Sequence, residues 1–162
     1  MRTEGTAVRV RGDDVDTDVM YPGAFLNIED PAEMAPHLFE GFDPALREKL
    51  GASTILVVDA NFGIGSSREH VPLAMKANGV TGIVGRSLAR IFYRNCANLG
   101  LAVARCPEAV DAVRDGSRVA IDTEGAVEVD GRRFTAPPAP PFLLELEAAG
   151  GLVEWTAVRV ER

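Results

Sequence analysis

The feature that most constrains this chain is a regular alternation of strand and helix signals between Thr54 and Arg105. The apolar run from Thr54 to Ala60 predicts a strand. A glycine turn follows, then an apolar-periodic segment that predicts a helix over 66–78, closed by Asn78-Gly79. A strand over 80–85, a helix over 87–99 and a strand over 101–105 complete a β-α-β-α-β pattern, with Ser87 as N-cap and Asn98-Leu99-Gly100 as stop. The fold class is therefore α/β.

The flanks are less regular. Residues 5–11 alternate and predict a strand; Gly12 to Asp18 is an acidic turn. Helices are expected over 30–39, with Pro31 in the first turn, and over 43–50. Another is expected over 107–113. Arg118 to Thr135 alternates around Glu124-Gly125 and Asp130-Gly131, which are hairpin turn signals. The proline-rich run 135–141 is a stiff connector, leading to a short helix over 142–149 and a last strand over 152–160. A chain of 162 residues is expected to form one domain, 1–162.

Charge and cysteine usage narrow the function. The net charge of −7 and scattered arginines argue against a general nucleic-acid binder. Cys96 and Cys106, outside any Cys-x-x-Cys pair, suit a reducing cytoplasm and no iron–sulfur ligand set. With His37 and His70 the only histidines, no metal site is expected on this chain. No signal peptide and no membrane span are expected, since no apolar run approaches about 20 residues.

The chemistry concentrates in Asn61-Phe-Gly-Ile-Gly-Ser-Ser-Arg-Glu-His70. Gly63 and Gly65 open backbone conformations closed to other residues. Ser66 and Ser67 are good N-caps, and the helix start they predict would aim orphan N–H groups at an anion. Arg68 adds a planar fork of donors suited to a carboxylate or phosphate. The third glycine of a dinucleotide fingerprint and the lysine of a phosphate loop are missing. A serine hydrolase is the other sharp alternative, with His70 four residues beyond Ser66. No Gly-x-Ser-x-Gly elbow occurs, and a base one turn along the same helix would point parallel to the nucleophile. His70 reads better as a satisfied side chain packing the turn.

Two further segments stand out. The aspartates of Gly12-Asp-Asp-Val-Asp-Thr-Asp18 lack the glycine and terminal glutamate of a calcium loop. They are expected to hold their own turn, with one facing the site. In Phe92-Tyr-Arg-Asn95, Phe92 is expected in the core. Arg94 and Asn95 are expected to reach the Gly-Ser-Ser turn or a partner chain.

Taken in order, Gly12–Asp18, Asn61–His70 and Ile91-Phe-Tyr-Arg-Asn95 resemble the small subunits of 3-isopropylmalate dehydratases in the aconitase superfamily. The resemblance implies a three-layer β/β/α swivelling fold and a large-subunit partner that carries a [4Fe–4S] cluster. It implies dehydration and rehydration of a small hydroxy-diacid, for this branch isopropylmalate in leucine biosynthesis. Homoaconitase-type and 2,3-dimethylmalate dehydratase small subunits share these motifs. By the same resemblance Ser66 matches the catalytic base and Arg68 the carboxylate-binding arginine. Gly65 and Ser67 line that pocket, and Asp18 supports it. Relatives often carry Arg or Lys where Ala24 stands, so Ala24, Phe25, Leu26 and Asn27 form an apolar specificity loop that favours an alkyl-substituted malate. A non-catalytic anion-binding module is the reading from another class.

Overall fold

The first strand, β1 (Arg2–Val10), belongs to two ladders at once. Its first half, Arg2 to Thr6, pairs antiparallel with β5 (Arg118–Asp122). Its second half, Thr6 to Val10, pairs parallel with β2 (Thr54–Val58). Thr6 has a partner in both, and its amide donates to the Ser53 carbonyl at 3.0 Å. Gly5 makes that approach possible, because a Cβ there would lie 2.0 Å from the Ser53 carbonyl oxygen. The structure, a computed structural model, describes residues 1–160.

From β1 the sheet extends two ways. On one side lie β2, β3 (Val80–Gly85) and β4 (Ala102–Arg105), all parallel. On the other, β5, β6 (Ala126–Val129) and β7 (Arg132–Thr135) form an antiparallel meander, giving the order β4-β3-β2-β1-β5-β6-β7. The expected turns at Glu124-Gly125 and Asp130-Gly131 separate its strands.

Side chains of the parallel strands alternate between two cores, as pleating requires. Leu56, Val58 and Ile83 face one core with Val71, Met75, Phe92 and Cys96. Ile55, Val57, Val84 and Ala104 face the other with Val119, Ile121, Val127 and Val129 of the meander. The parallel sheet is thus covered by helices on one face and largely by its own antiparallel extension on the other. This is the β/β/α layering that the motifs imply, although one continuous ladder joins both β layers.

The helices are short outside the centre. They are α1 (Thr17–Met20), α2 (Pro31–Met34), α3 (Leu46–Lys49), α4 (His70–Ala77), α5 (Arg90–Asn98), α6 (Pro107–Ala112), α7 (Pro141–Ala149) and α8 (Leu152–Val160). The helix expected over 30–39 is only one α turn, capped by Asp30, followed by a 3-10 turn over 35–37. The strand expected over 152–160 is α8, a helix with no buried residue. Its β-branched alternation imitates a strand, but α8 folds back on α7. There Trp155 packs edge-on against Phe142 and donates to Glu145 at 3.0 Å. No helix among the described residues is long and apolar enough to cross a membrane.

Candidate active site

The site lies at the carboxyl ends of the parallel strands, where loops follow β1, β2 and β3. Asp59 ties these loops together. Its carboxylate accepts from the Arg9 guanidinium, from the Gly12 amide at 2.8 Å and from Arg86 Nε at 3.3 Å. Burial alone would push the Asp59 carboxyl up, but Arg9 and the Gly12 amide together hold it below the usual carboxylate range.

The acidic turn and the glycine turn are zipped along their backbones. The Gly63 amide donates to the Val15 carbonyl and the Thr17 amide to the Ile64 carbonyl, both at 2.9 Å. Thr17 Oγ1 donates to the Ser66 carbonyl at 2.7 Å. The aspartates divide as their chemistry suggests. Asp13 accepts from the Ala60 amide, Asp14 from the Asn61 side chain, and Asp16 caps α1 through the Asp18 amide. Of the four, Asp18 is the one that reaches Arg68, pairing with its Nε at 3.1 Å.

Both glycines of the turn are obligatory. Gly63 has φ +85°, and a Cβ would sit 2.2 Å from Cγ of Phe92. Gly65 has φ +91°, and a Cβ would lie 2.5 Å from Asp16 Oδ1.

The expectation of serine N-caps is corrected. The central helix starts at His70, with Glu69 as its N-cap and no side-chain cap. Ser66 and Ser67 stay in the preceding loop, because Thr17 holds the Ser66 carbonyl and Asn95 reaches Ser67 Oγ at 3.4 Å. Anion donors are present nonetheless. Among the described residues, the amides of Gly65, Ser66, Ser67 and Arg68 donate to no protein acceptor. Four successive amides without a protein acceptor are donors available to an anion. Ser87 likewise does not cap α5, whose N-cap is Ala89. The Ser87 hydroxyl instead accepts from the Asn61 amide at 2.7 Å.

Arg68 is held before any ligand arrives. Its side chain is 15% exposed, Nε meets Asp18, and Nη1 donates to the Tyr21 carbonyl at 2.7 Å. Nη2 points towards Gly23, where a Cβ would be 3.8 Å away. The guanidinium therefore connects the serines to the start of the loop at 24–27. In that loop Ala24, Leu26 and Asn27 are exposed. Phe25 is half-buried and stacks on His37 at 3.8 Å between centroids. His70 stacks on Tyr21 at 5.3 Å, and its Nε2 lies 3.1 Å from the Leu26 carbonyl. It is the satisfied packing residue expected, and it does not reach Ser66 as a hydrolase base would.

Ser66 and Ser67 lie on open surface. A concavity of about 620 Å³ lies elsewhere, between α5, β4 and the proline connector. Cys96 is buried in the helix-side core, where burial pushes its thiol far up, and Cys106 lies in the opposite core. Among the described residues no three His, Cys, Asp or Glu side chains group to hold a metal.

Fold and site together define a class: an α/β domain that presents a Gly-Ser-Ser-Arg anion loop at the ends of parallel strands. Comparison with known proteins names it. Residues 42–108 match the aconitase C-terminal domain family. The chain is 46% identical to a 2,3-dimethylmalate dehydratase small subunit from Eubacterium barkeri, over 96% of each chain. It is 48% identical to a 3-isopropylmalate dehydratase small subunit from Methanopyrus kandleri, over 90% of this chain and 87% of that one. The crystal structure of 3-isopropylmalate dehydratase from Methanocaldococcus jannaschii superposes with a TM-score of 0.88 at 36% identity, covering 98% and 95% of the two chains. The chain belongs to the 3-isopropylmalate dehydratase small-subunit family of the aconitase superfamily.

Proposed function

We propose that this chain is the small subunit of an iron–sulfur hydro-lyase that interconverts 2-isopropylmalate and 3-isopropylmalate in leucine biosynthesis, working in the cytoplasm with a large subunit. The observation that carries the reading is an exposed Ser66 beside an Arg68 already oriented by Asp18 and the Tyr21 carbonyl. An exposed serine hydroxyl is a poor base in water. Its anion is stabilised only when fixed donors surround it and solvent is excluded. The free amides of the loop and Arg68 supply donors; a second subunit closing over the loop would supply the exclusion.

The cysteines and acids of this chain do not fit an iron–sulfur cluster, so the [4Fe–4S] group is assigned to the large subunit. The remaining Arg68 donors and the loop amides, with Gly65 and Ser67 as lining, bind a substrate carboxylate. Ser66, as alkoxide, takes the proton from the carbon next to that carboxylate. The electron pair left behind forms the carbon–carbon double bond as the hydroxyl leaves the neighbouring carbon, where the partner's cluster, as Lewis acid, would accept it as hydroxide. Rehydration runs the same steps back with water added at the other carbon. Asp18 does not touch substrate in this scheme; it positions Arg68.

2,3-Dimethylmalate is the second reading, favoured by the Eubacterium barkeri relative and by the exposed apolar Ala24 and Leu26. The test reconstitutes the chain with a cluster-bearing large subunit and follows the unsaturated acid by ultraviolet absorbance. Turnover of isopropylmalate above dimethylmalate and homocitrate in kcat/KM supports the first reading. Dimethylmalate ahead selects the second. No turnover of any hydroxy-diacid leaves the non-catalytic anion-binding module.

A further inference from the structure

The 620 Å³ concavity is not used by the proposed chemistry. Arg90, Tyr93 and Arg94 of α5 form one wall, Val103 and Arg105 of β4 the base, and the proline connector with Phe142 the other wall. Its lining holds three arginines and no carboxylate, although the chain carries a net −7. Among the described residues none of these three guanidiniums has an ion-pair or hydrogen-bond partner; Arg2, Arg9, Arg68, Arg86, Arg118, Arg133 and Arg159 are paired with acids, and Arg11, Arg114 and Arg132, which are not, lie outside this groove. Convergence of unpaired cations on an apolar, proline- and aromatic-walled groove is the composition of an interface that anchors an acidic chain.

The helix that walls the groove, α5, also reaches the serine loop through a different face. Asn95, which reaches Ser67 Oγ, follows Arg94 directly. Ile91, one helical turn before Asn95, is 49% exposed. A body closing over Ser66 and Ser67 would therefore lie on Ile91 and run into the groove beside it. We propose that this groove receives an acidic segment of the large subunit, with carboxylates meeting Arg90, Arg94 and Arg105 and apolar side chains meeting Tyr93 and Phe142. The inference rests on the two-subunit reading above. It adds that assembly is steered by charge on a surface separate from the substrate loop. Rim and groove charges of this kind act chiefly on association rate and salt dependence.

The experiment titrates fluorescently labelled small subunit with the large subunit at several salt concentrations, for the native chain and for Arg94→Glu and Arg105→Glu. All three side chains at issue are exposed, so the variants keep their fold, which circular dichroism checks. The expected result is at least tenfold weaker association for each variant, a shallower salt dependence, and an unchanged kcat once the large subunit is saturating. Native-like affinity and salt dependence in both variants would overturn the proposal. So would a native self-dimer, seen by sedimentation, that the variants lose, because the groove would then hold a second copy. If the native chain itself binds no large subunit, the two-subunit reading fails instead, and the two failures are distinct.

Discussion

Gly65→Ala is the sharpest perturbation of the site that adds only one carbon. Two costs follow from the geometry. A non-glycine residue at φ +91° sits in left-handed backbone, at about 1–2 kcal/mol. The new methyl would also lie 2.5 Å from Asp16 Oδ1, so the carboxylate must leave. That carboxylate caps α1 through the Asp18 amide at 2.7 Å, and losing such a cap costs about 1 kcal/mol. The sum, about 2–3 kcal/mol, lowers Tm by roughly 4–12 °C for a chain of this size. Thermal unfolding followed by circular dichroism measures it. Repeating the substitution in an Asp16→Gly background removes the collision and leaves only the backbone cost, so the two changes couple by about 1 kcal/mol. Displacing Asp16 also loosens Asp18 and hence Arg68, so kcat/KM of the reconstituted enzyme falls further than the stability loss requires. The reasoning is refuted if Gly65→Ala moves Tm by less than about 1 °C. Equal cost in both backgrounds would refute the Asp16 contact alone.

The remaining predictions are briefer. Ser66→Ala removes the proposed base and leaves the carboxylate site, so kcat drops by several orders of magnitude while KM changes little; near-normal kcat would reject the base assignment. Arg68→Lys loses the fork that spans Asp18, Tyr21 and substrate, and steady-state kinetics should show mainly a raised KM, worth roughly 1–3 kcal/mol. Asp59 has a carboxyl held below its unfolded value, so its contribution is present above about pH 4 and is lost as pH falls through the folded value. Asp59→Asn should therefore flatten the acid side of the Tm–pH profile, and an unchanged profile would count against it. Ala24→Arg places a cation on the exposed loop beside Arg68 and should narrow the preference for isopropylmalate over homocitrate, read by competition between the two acids. A native preference for homocitrate would remove the leucine-pathway reading.

Much of the fold was legible because its centre is built from local signals. Apolar strands, glycine stops and the hairpin turns at Gly125 and Gly131 all lie where the sequence places them. The failures have physical causes. Ser66, Ser67 and Ser87 have the chemistry of N-caps, but partners far away in sequence, Thr17, Asn95 and Asn61, take them first. The run 152–160 has the composition of a strand, yet no sheet edge receives it and Trp155 finds its partner on α7 instead. The roles within the acidic turn were half legible: that one aspartate would face the site could be read, but not that its partner is Arg68. That His37 stacks beneath Phe25 was equally invisible, because nothing local brings the two together. The arginine groove was invisible for the same reason. Arg90 and Arg94 share a helix face, but Arg105 and the prolines that complete it come from later elements.

The double membership of β1 has a consequence for how the molecule comes into being. Its second half finds β2 once residue 58 has been made, so the parallel core can begin to assemble early. Its first half waits for residues 118–122, the longest closure in the sheet. Until then Arg2 to Thr6 is an open edge, the kind of strand that pairs with the wrong neighbour. The charged side chains of Arg2 and Glu4 on that edge are a guard against this, since charged edges resist stray pairing. Folding of this chain is therefore expected to be two-phased during synthesis, with the antiparallel layer locking last. Variants that slow β5 would show up as aggregation before they show up as lost stability.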